Sequence, residues 1–182
     1  MLEWFVRIEI DQSGKVEDTS RKTVVALTNS KKFTVLINTR EKRKLQEKFR
    51  LIGQPKIFVY YVFATLLYLV IKYSGNLKNK IYIDIEYTGQ TKIIEKILFD
   101  LVGEKLLIEW IKVGKQSKSH DLGYKVFVGK LKADKVIEAK FIENLINKKT
   151  GGYLNSRLKL ENRYSAPVIK RSVTNLKKKS RI

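Results

Sequence analysis

The chain has 182 residues, 43% hydrophobic and 10% aromatic, which excludes a fully disordered chain and fits one globular domain with an appendage. It has no Cys and one His, which excludes disulfides, thiolate metal sites and multi-His zinc sites, so any bound metal must be held by oxygen. The formal net charge of +20 indicates an anionic partner, with nucleic acid the first candidate and an acidic membrane surface the second.

The N-terminal part of the chain predicts three consecutive strands. Side chains alternate between two faces from residue 4 to residue 11, and residues 23–28 and 33–38 are rich in β-branched side chains. The short polar connections between these runs predict an antiparallel meander. The N-terminus lacks the basic region and apolar run of a signal peptide, so we expect a cytoplasmic protein.

Two helices of different character are predicted next. Residues 40–51 form a charged helical pattern with a basic face toward solvent that includes Arg43 and Lys44. Residues 57–71 are fifteen positions without a charge, whereas a membrane span needs about 20 apolar residues. We therefore expect a helix buried across one face of a sheet and no stable membrane association. Anchoring at a membrane surface remains an alternative.

The second half of the chain alternates strands with helices. Residues 81–87 and 105–113 predict the fourth and fifth strands, with an amphipathic helix at residues 91–101 between them. Further helices are predicted to begin near His120 and Asp121 and at Asp134, with Asp134 as N-cap. The sequence thus predicts an α/β fold. Its mixed five-stranded sheet has three antiparallel strands, then two parallel ones, and is flanked by helices.

The composition changes in the C-terminal part of the chain. Residues 144–182 contain eleven Lys or Arg and one acid, and Gly151 and Gly152 stand near the start of this segment. We therefore expect a folded domain over residues 1–143 and a largely extended basic arm over residues 144–182. Arg157, Lys159 and Arg163 alternate there with tyrosines and are candidates for nucleic-acid binding.

Carboxylates lie on two of the predicted strands of this basic chain. Alternation places Asp84 and Glu86 on one face of the fourth strand, with their Cα atoms roughly 6.5–7 Å apart. Glu9 and Asp11 repeat this arrangement on the first strand. If these strands pair in parallel, Asp11 meets Asp84 or Glu86 at the carboxyl ends, where open α/β sheets place ligands. Two interpretations remain open: a divalent-cation site, or pairing of the acids with Lys and Arg across strands.

The order of elements and three short motifs resemble the ribonuclease H-like superfamily, which includes ribonuclease H and RuvC-type junction resolvases. The motifs are IEIDQSG at residues 8–14, IYIDIEY at 81–87 and SHDLGYK at 119–125, and the resemblance covers roughly residues 4–130. Asp11 matches the aspartate of the superfamily's first strand, Asp84 or Glu86 its second carboxylate, and Asp121 the acid at the start of its last helix. Ribonucleases H proper also have a glutamate on the helix after the third strand, but residues 57–71 contain no acid.

This resemblance implies metal-dependent hydrolysis of phosphodiesters. Asp11, Asp84, Glu86 and Asp121 would be the catalytic residues and the ligands of two Mg²⁺ or Mn²⁺ ions, which would activate a water and stabilise the leaving oxygen. His120 beside Asp121 would be placed to carry a proton. Flanking phosphates would be held by nearby lysines, namely Lys15, Lys112, Lys115 and Lys118.

The sequence therefore predicts a metal-dependent nuclease that hydrolyses phosphodiester bonds in structured DNA or RNA. The alternative is a non-catalytic nucleic-acid-binding protein that retains a ribonuclease H-like fold. A homodimer is a further possible assembly, because basic and aromatic surface residues would also suit a subunit interface.

Overall fold

A computed structural model describes residues 7–29, 31–75, 79–114 and 116–164 of the chain, with side chains as far as Lys159. The described strands are β1 Ile8–Ser13, β2 Thr23–Thr28, β3 Lys32–Ile37, β4 Ile81–Asp84, β5 Ile108–Ile111 and β6 Lys135–Ile137. The described helices are α1 Thr39–Leu51, α2 Phe58–Ser74, α3 Thr91–Val102, α4 Lys118–Phe127, α5 Ala139–Lys149 and α6 Tyr153–Tyr164.

The strands form one mixed sheet in the order β5-β4-β1-β2-β3-β6. β2 is antiparallel to both β1 and β3, whereas β4 is parallel to β1, β5 is parallel to β4, and β6 is parallel to β3. The predicted α/β class, the antiparallel meander and the two parallel strands after it are thus confirmed. The carboxyl ends of β1, β4 and β5 meet at one edge of the sheet.

The sheet has six strands rather than five, because β6 forms where a helix was predicted. Asp134 does not cap a helix: its Oδ2 accepts hydrogen bonds from the backbone N and the Oγ1 of Thr34 on β3, at 2.8 and 2.6 Å. These bonds align the next three residues with β3, and α5 begins only at Ala139. A three-residue strand is too short for alternation to reveal it in the sequence.

The main core lies between the sheet and α2. β1 presents Ile8 and Ile10 to this core, and nearly every residue of α2 after Tyr61 is buried within it. α2 packs against β2, β3 and α3, and α1 and α5 lie beside it. The prediction of a helix buried across a sheet face is therefore confirmed. Within the described ranges, none of the helices has both the length and the apolar character needed to cross a membrane.

The opposite face of the sheet is packed by α4, which contacts β1, β2 and β3. Val126 of α4 forms a small second core there with Val24 of β2 and Leu36 of β3. Glu9, Asp11 and Ser13 of β1 point to this face, because they alternate with the side chains that enter the main core.

The prediction of an extended arm from residue 144 is wrong as far as residue 164. Residue 144 lies inside α5, and α6 follows after Gly151 and Gly152. Ile146 and Leu154 are buried in the main core. Tyr153 stacks on Tyr61 of α2, and its hydroxyl donates to Gln54 Oε1 at 2.6 Å. Residues 165–182 lie outside the described part of the chain.

Candidate metal centre

Three carboxylates converge at the edge of the sheet where β1 and β4 end. Asp11 lies on β1, Asp84 is the last residue of β4, and Glu86 follows in the turn after it. The parallel pairing of Ile10 with Ile83 brings these strand ends side by side. One carboxylate oxygen from each residue lies within 4.8 Å of the other two. We call these three residues the carboxylate cluster.

The chain turns sharply after Asp84, and this turn gathers the second and third acids. β4 ends at Asp84 rather than continuing to Tyr87 as predicted, because the backbone N of Glu86 bonds to the carbonyl O of Asp84 at 3.0 Å. The backbone N of Val113, just beyond β5, donates to Asp84 Oδ1 at 2.6 Å. The strand ends themselves therefore hold Asp84 in place. Both Asp84 and Glu86 therefore lie close to Asp11, where the sequence had left open which of the two would.

Tyr87 links the exits of β4 and β1. Its hydroxyl accepts hydrogen bonds from Gln12 Nε2 and from the backbone N of Val16, both at 3.3 Å, and donates to Glu17 Oε2 at 3.1 Å. The ring packs edge-on against Phe63 of α2. Tyr87 thus fixes the loop after Asp11 to the turn that carries Glu86, a role that its place in the sequence did not indicate.

Burial and mutual repulsion raise the proton affinity of the carboxylate cluster. Asp11 is only 3% exposed, and burial raises its pKa from 3.8 to about 6, with the charge of His120 opposing the rise and that of Asp84 adding to it. Burial, repulsion from Asp84 and Asp11, and a hydrogen bond with Asp84 raise the pKa of Glu86 from 4.5 to about 8. At neutral pH a proton on Glu86 therefore relieves repulsion that a cation would relieve better.

The first turn of α4 brings a histidine to the carboxylate cluster. Ser117 caps the helix, its Oγ accepting a hydrogen bond from the backbone N of His120 at 3.1 Å. The Nδ1 of His120 lies 3.1 Å from Asp11 Oδ2. His120 therefore contacts the cluster directly, as its proposed role in carrying a proton requires.

Asp121, the predicted third acid, is not part of the carboxylate cluster. Its side chain is 58% exposed and pairs with Lys125, whose Nζ lies 2.6 Å from Asp121 Oδ2. The buried residues of α4 are Ser119, Gly123 and Val126. Successive helix residues are about 100° apart, so His120 lies on the flank beside β1 while Asp121 turns away from the sheet.

Two glycines allow α4 to approach the sheet closely. A Cβ added to Gly123 would lie 2.9 Å from Ser13 Oγ and 3.4 Å from the Cβ of Ala26. Gly14, with φ of 77°, follows β1, and a Cβ there would lie 2.4 Å from the ring of Phe127 at the end of α4. The distance between β1 and α4, and hence the contact between Asp11 and His120, depends on these two positions.

Three of the four predicted phosphate-binding lysines lie within the described part of the chain, and all three are exposed. Lys15 is exposed, and its charge opposes the rise in the pKa of Glu86. Lys112 and Lys118 are exposed at the end of β5 and the start of α4, whereas Lys115 lies outside the described residues. Further along the same side of the sheet, Arg21 and Lys22 line a cavity of about 360 Å³ together with Phe127.

The other predicted basic residues belong to the helices. Arg43 is exposed on α1, and its Nε donates to the carbonyl of Thr19 at 3.2 Å, while Lys44 pairs with Glu41. Arg157 and Lys159 are exposed on α6, which also includes Arg163 and packs against α1 and α5. Among the described side chains, those of Arg157 and Lys159 therefore belong to a helix that packs against α1 and α5 rather than against the strands of the carboxylate cluster.

The carboxylate cluster could bind a metal ion. It supplies oxygen ligands only, which are the ligands that Mg²⁺, Mn²⁺ and Ca²⁺ prefer. Comparison of the chain with known proteins gives no significant match to a protein-family model, to a curated protein or to a solved structure.

Proposed function

We propose that the protein is a metal-dependent nuclease of ribonuclease H-like architecture that hydrolyses phosphodiester bonds in structured DNA or RNA. The observation that carries this proposal is the carboxylate cluster, three acids within 4.8 Å at the ends of adjacent parallel strands in a chain of net charge +20. Lysines and arginines attract a polyanion without reading its sequence, whereas gathered carboxylates repel it unless a cation is bound between them.

Mg²⁺ or Mn²⁺ fits the residues that are present. Asp11, Asp84 and Glu86 would be the ligands, and ions held there supply activation of a water and neutralisation of charge on the leaving oxygen. The carboxylate of Asp84 is oriented by the protein itself, because the backbone N of Val113 donates a hydrogen bond to its Oδ1. His120, against Asp11, is placed to orient that carboxylate and to exchange a proton with the reacting groups.

The arrangement of the strands also supports ribonuclease H-like architecture. An antiparallel meander precedes two strands parallel to β1, and the acids lie on β1 and at the end of β4, as the resemblance implies. Neither helix after the third strand adds an acid to the centre, because α2 contains none and the acids of α1, Glu41 and Glu47, pair with Lys44 and Arg50. A histidine stands beside Asp11 in place of the acid predicted at Asp121. The proposed centre therefore has three carboxylates and one imidazole.

The test is cleavage of branched, hybrid and single-stranded substrates in Mn²⁺ or Mg²⁺. We expect Asp11→Asn to lower the cleavage rate by more than the 10–100-fold typical of residues that only orient a metal ligand, and to leave binding of the same substrates intact. Asp121→Asn is the matched control, because this acid pairs with Lys125 outside the carboxylate cluster and its loss should change the rate less than about twofold.

Equal rates for Asp11→Asn and the parent protein would contradict the nuclease proposal. Binding that weakens steeply with salt, without cleavage in any divalent cation, would support the non-catalytic nucleic-acid-binding protein instead. Sedimentation with anionic vesicles, without binding to oligonucleotides, would favour the membrane-surface alternative.

A further inference from the structure

An exposed aromatic ring stands beside the carboxylate cluster on α4. Tyr124 is 51% exposed and lies one helical turn after His120. The two rings are nearly parallel, with 7° between their planes and 6.4 Å between their centroids. His120 in turn contacts Asp11, so Tyr124 is separated from the cluster by one side chain.

The position of Tyr124 is fixed by the helix that carries it. α4 is held against β1 and β2 at Gly123, the residue immediately before Tyr124, where any side chain would collide with Ser13. The capping bond from Ser117 holds the first turn. A half-exposed ring on a rigid helix can receive a flat group at little cost in conformational entropy.

The charge around Tyr124 favours a nucleic-acid base as that flat group. Lys118 is exposed at the start of the same helix, about one and two-thirds turns before Tyr124, and Lys112 is exposed at the end of β5. Cations that bind phosphates, alternating with aromatic rings that stack on bases, are typical of surfaces for single-stranded nucleic acid. Bases inside a duplex already stack on their neighbours, so only an unpaired base has a face free for the ring.

We propose that Tyr124 stacks on an unpaired base next to the phosphodiester that faces Asp11. The site then takes substrates that have an unpaired nucleotide at the point of cleavage, such as single strands, loops, flaps and branch points, rather than continuous duplex. This inference rests on the proposed function and defines its substrate class.

The test measures binding in EDTA, so that no cleavage occurs. The probes are a fluorescently labelled single-stranded oligonucleotide and a blunt duplex of the same sequence. We expect Tyr124→Leu to weaken binding of the single strand by about 5- to 100-fold, the range for loss of one base–aromatic stack, and to leave duplex binding unchanged. Tyr124→Phe keeps the ring and should bind the single strand within about twofold of the parent.

Two controls separate stacking from a general loss of surface. Tyr73→Leu removes another exposed tyrosine, on α2, and should leave binding unchanged. Oligonucleotides with one abasic position, moved along the strand, should include one to which the parent protein and Tyr124→Leu bind equally. At that position the base that stacks on the ring is already missing.

Three results would overturn the inference: equal losses on single strand and duplex, loss of binding in Tyr124→Phe as large as in Tyr124→Leu, or no abasic position that removes the difference. If the variants bind as expected but the parent protein cleaves no substrate, the nuclease proposal is contradicted and the stacking proposal is retained. If the parent protein cleaves and Tyr124→Leu binds the single strand as tightly as the parent does, only the stacking proposal is contradicted. If the protein binds no oligonucleotide, both the nuclease proposal and the stacking proposal are overturned.

Discussion

Lys42 is a lysine of α1 whose side chain is fully buried against the loop between β1 and β2. Its Nζ donates to the carbonyl oxygens of Lys15 and Asp18, at 2.9 and 2.7 Å, and to the Oγ1 of Thr23 at 2.9 Å. Burial lowers the pKa of Lys42 to about 8, while the charges of Asp18 and Glu17 oppose that shift. One ammonium group therefore ties α1 to the loop that follows Asp11.

Replacing Lys42 by methionine keeps the apolar stem and removes the three donated bonds. We expect Lys42→Met to lower the free energy of unfolding by about 2–4 kcal/mol, since the carbonyl of Asp18 and the hydroxyl of Thr23 lose their buried donor, and the carbonyl of Lys15 keeps only the bond from Thr23 Oγ1. Urea denaturation would measure the loss. Lys44→Met is the matched control on the same helix: its exposed pair with Glu41 should contribute less than about 1 kcal/mol. Similar losses in both variants would contradict the role assigned to Lys42.

At the scale of elements, the docking of α4 decides which side chain reaches the carboxylate cluster. The helix lies against the sheet through Ser119, Gly123 and Val126, and this face leaves His120 beside β1. A displacement of α4 by even an ångström would lengthen the contact between His120 and Asp11 beyond hydrogen-bonding distance.

Gly123→Val tests this dependence. The added side chain meets Ser13 and Ala26, so we expect a loss of about 1–3 kcal/mol in the free energy of unfolding and a lower rate of metal-dependent cleavage. Lys125→Val places the same β-branched residue on the exposed face of α4 and controls for helix propensity. If the two variants have equal stability and rate, close packing at Gly123 is not what positions His120.

Most elements were predictable because their patterns are local. The β-branched runs of β2 and β3 and the amphipathic spacing of α3 each indicate one structure over six or more residues. β6 and α6 were not predictable in this way. β6 depends on the contact of Asp134 with Thr34, and α6 depends on the burial of Leu154 among residues that are distant in sequence. Such tertiary contacts override local composition.

The candidate site was predictable in part for the same reason. Strand alternation and parallel pairing were enough to predict that Asp11 meets Asp84 or Glu86, but the turn after Asp84, which brings both acids to Asp11, was not predicted. The choice between His120 and Asp121 depends on the rotation of α4 about its axis. That rotation is set by which residues pack against the sheet, and neighbouring residues differ by about 100°. The buried face of α4 and the face of the sheet beneath it together determine this rotation. The motif SHDLGYK alone does not indicate which of its residues will be buried.

At the scale of the whole molecule, a small buried acidic site interrupts a surface of large positive charge. The folded protein, free of metal, holds protons on Asp11 and Glu86 at pH values where the unfolded chain would release them, because folding raises both pKa values. The contribution of these protons to stability is full below about pH 4 and is lost as the pH rises through 6 and then 8.

We therefore expect the melting temperature in EDTA to fall between pH 5 and pH 8, and Mg²⁺ or Mn²⁺ at pH 8 to restore it, since an ion that binds only the folded state stabilises that state. Differential scanning calorimetry would measure both effects. The variant Glu86→Gln cannot lose a proton at this position, so its melting temperature should fall less over the same range. A melting temperature that rises from pH 5 to pH 8 in EDTA would contradict the proton assignment.

The wide separation in sequence of the residues that meet at the carboxylate cluster also sets when the site can form during synthesis. Asp11 and His120 are 109 positions apart, and the backbone N that orients Asp84 belongs to Val113. A nascent chain that has emerged only through β3 carries Asp11 but none of its partners. The carboxylate cluster therefore cannot assemble until β4 and the turn after it have been synthesised, and a nascent chain that ends before α4 has the three acids without the histidine that contacts Asp11.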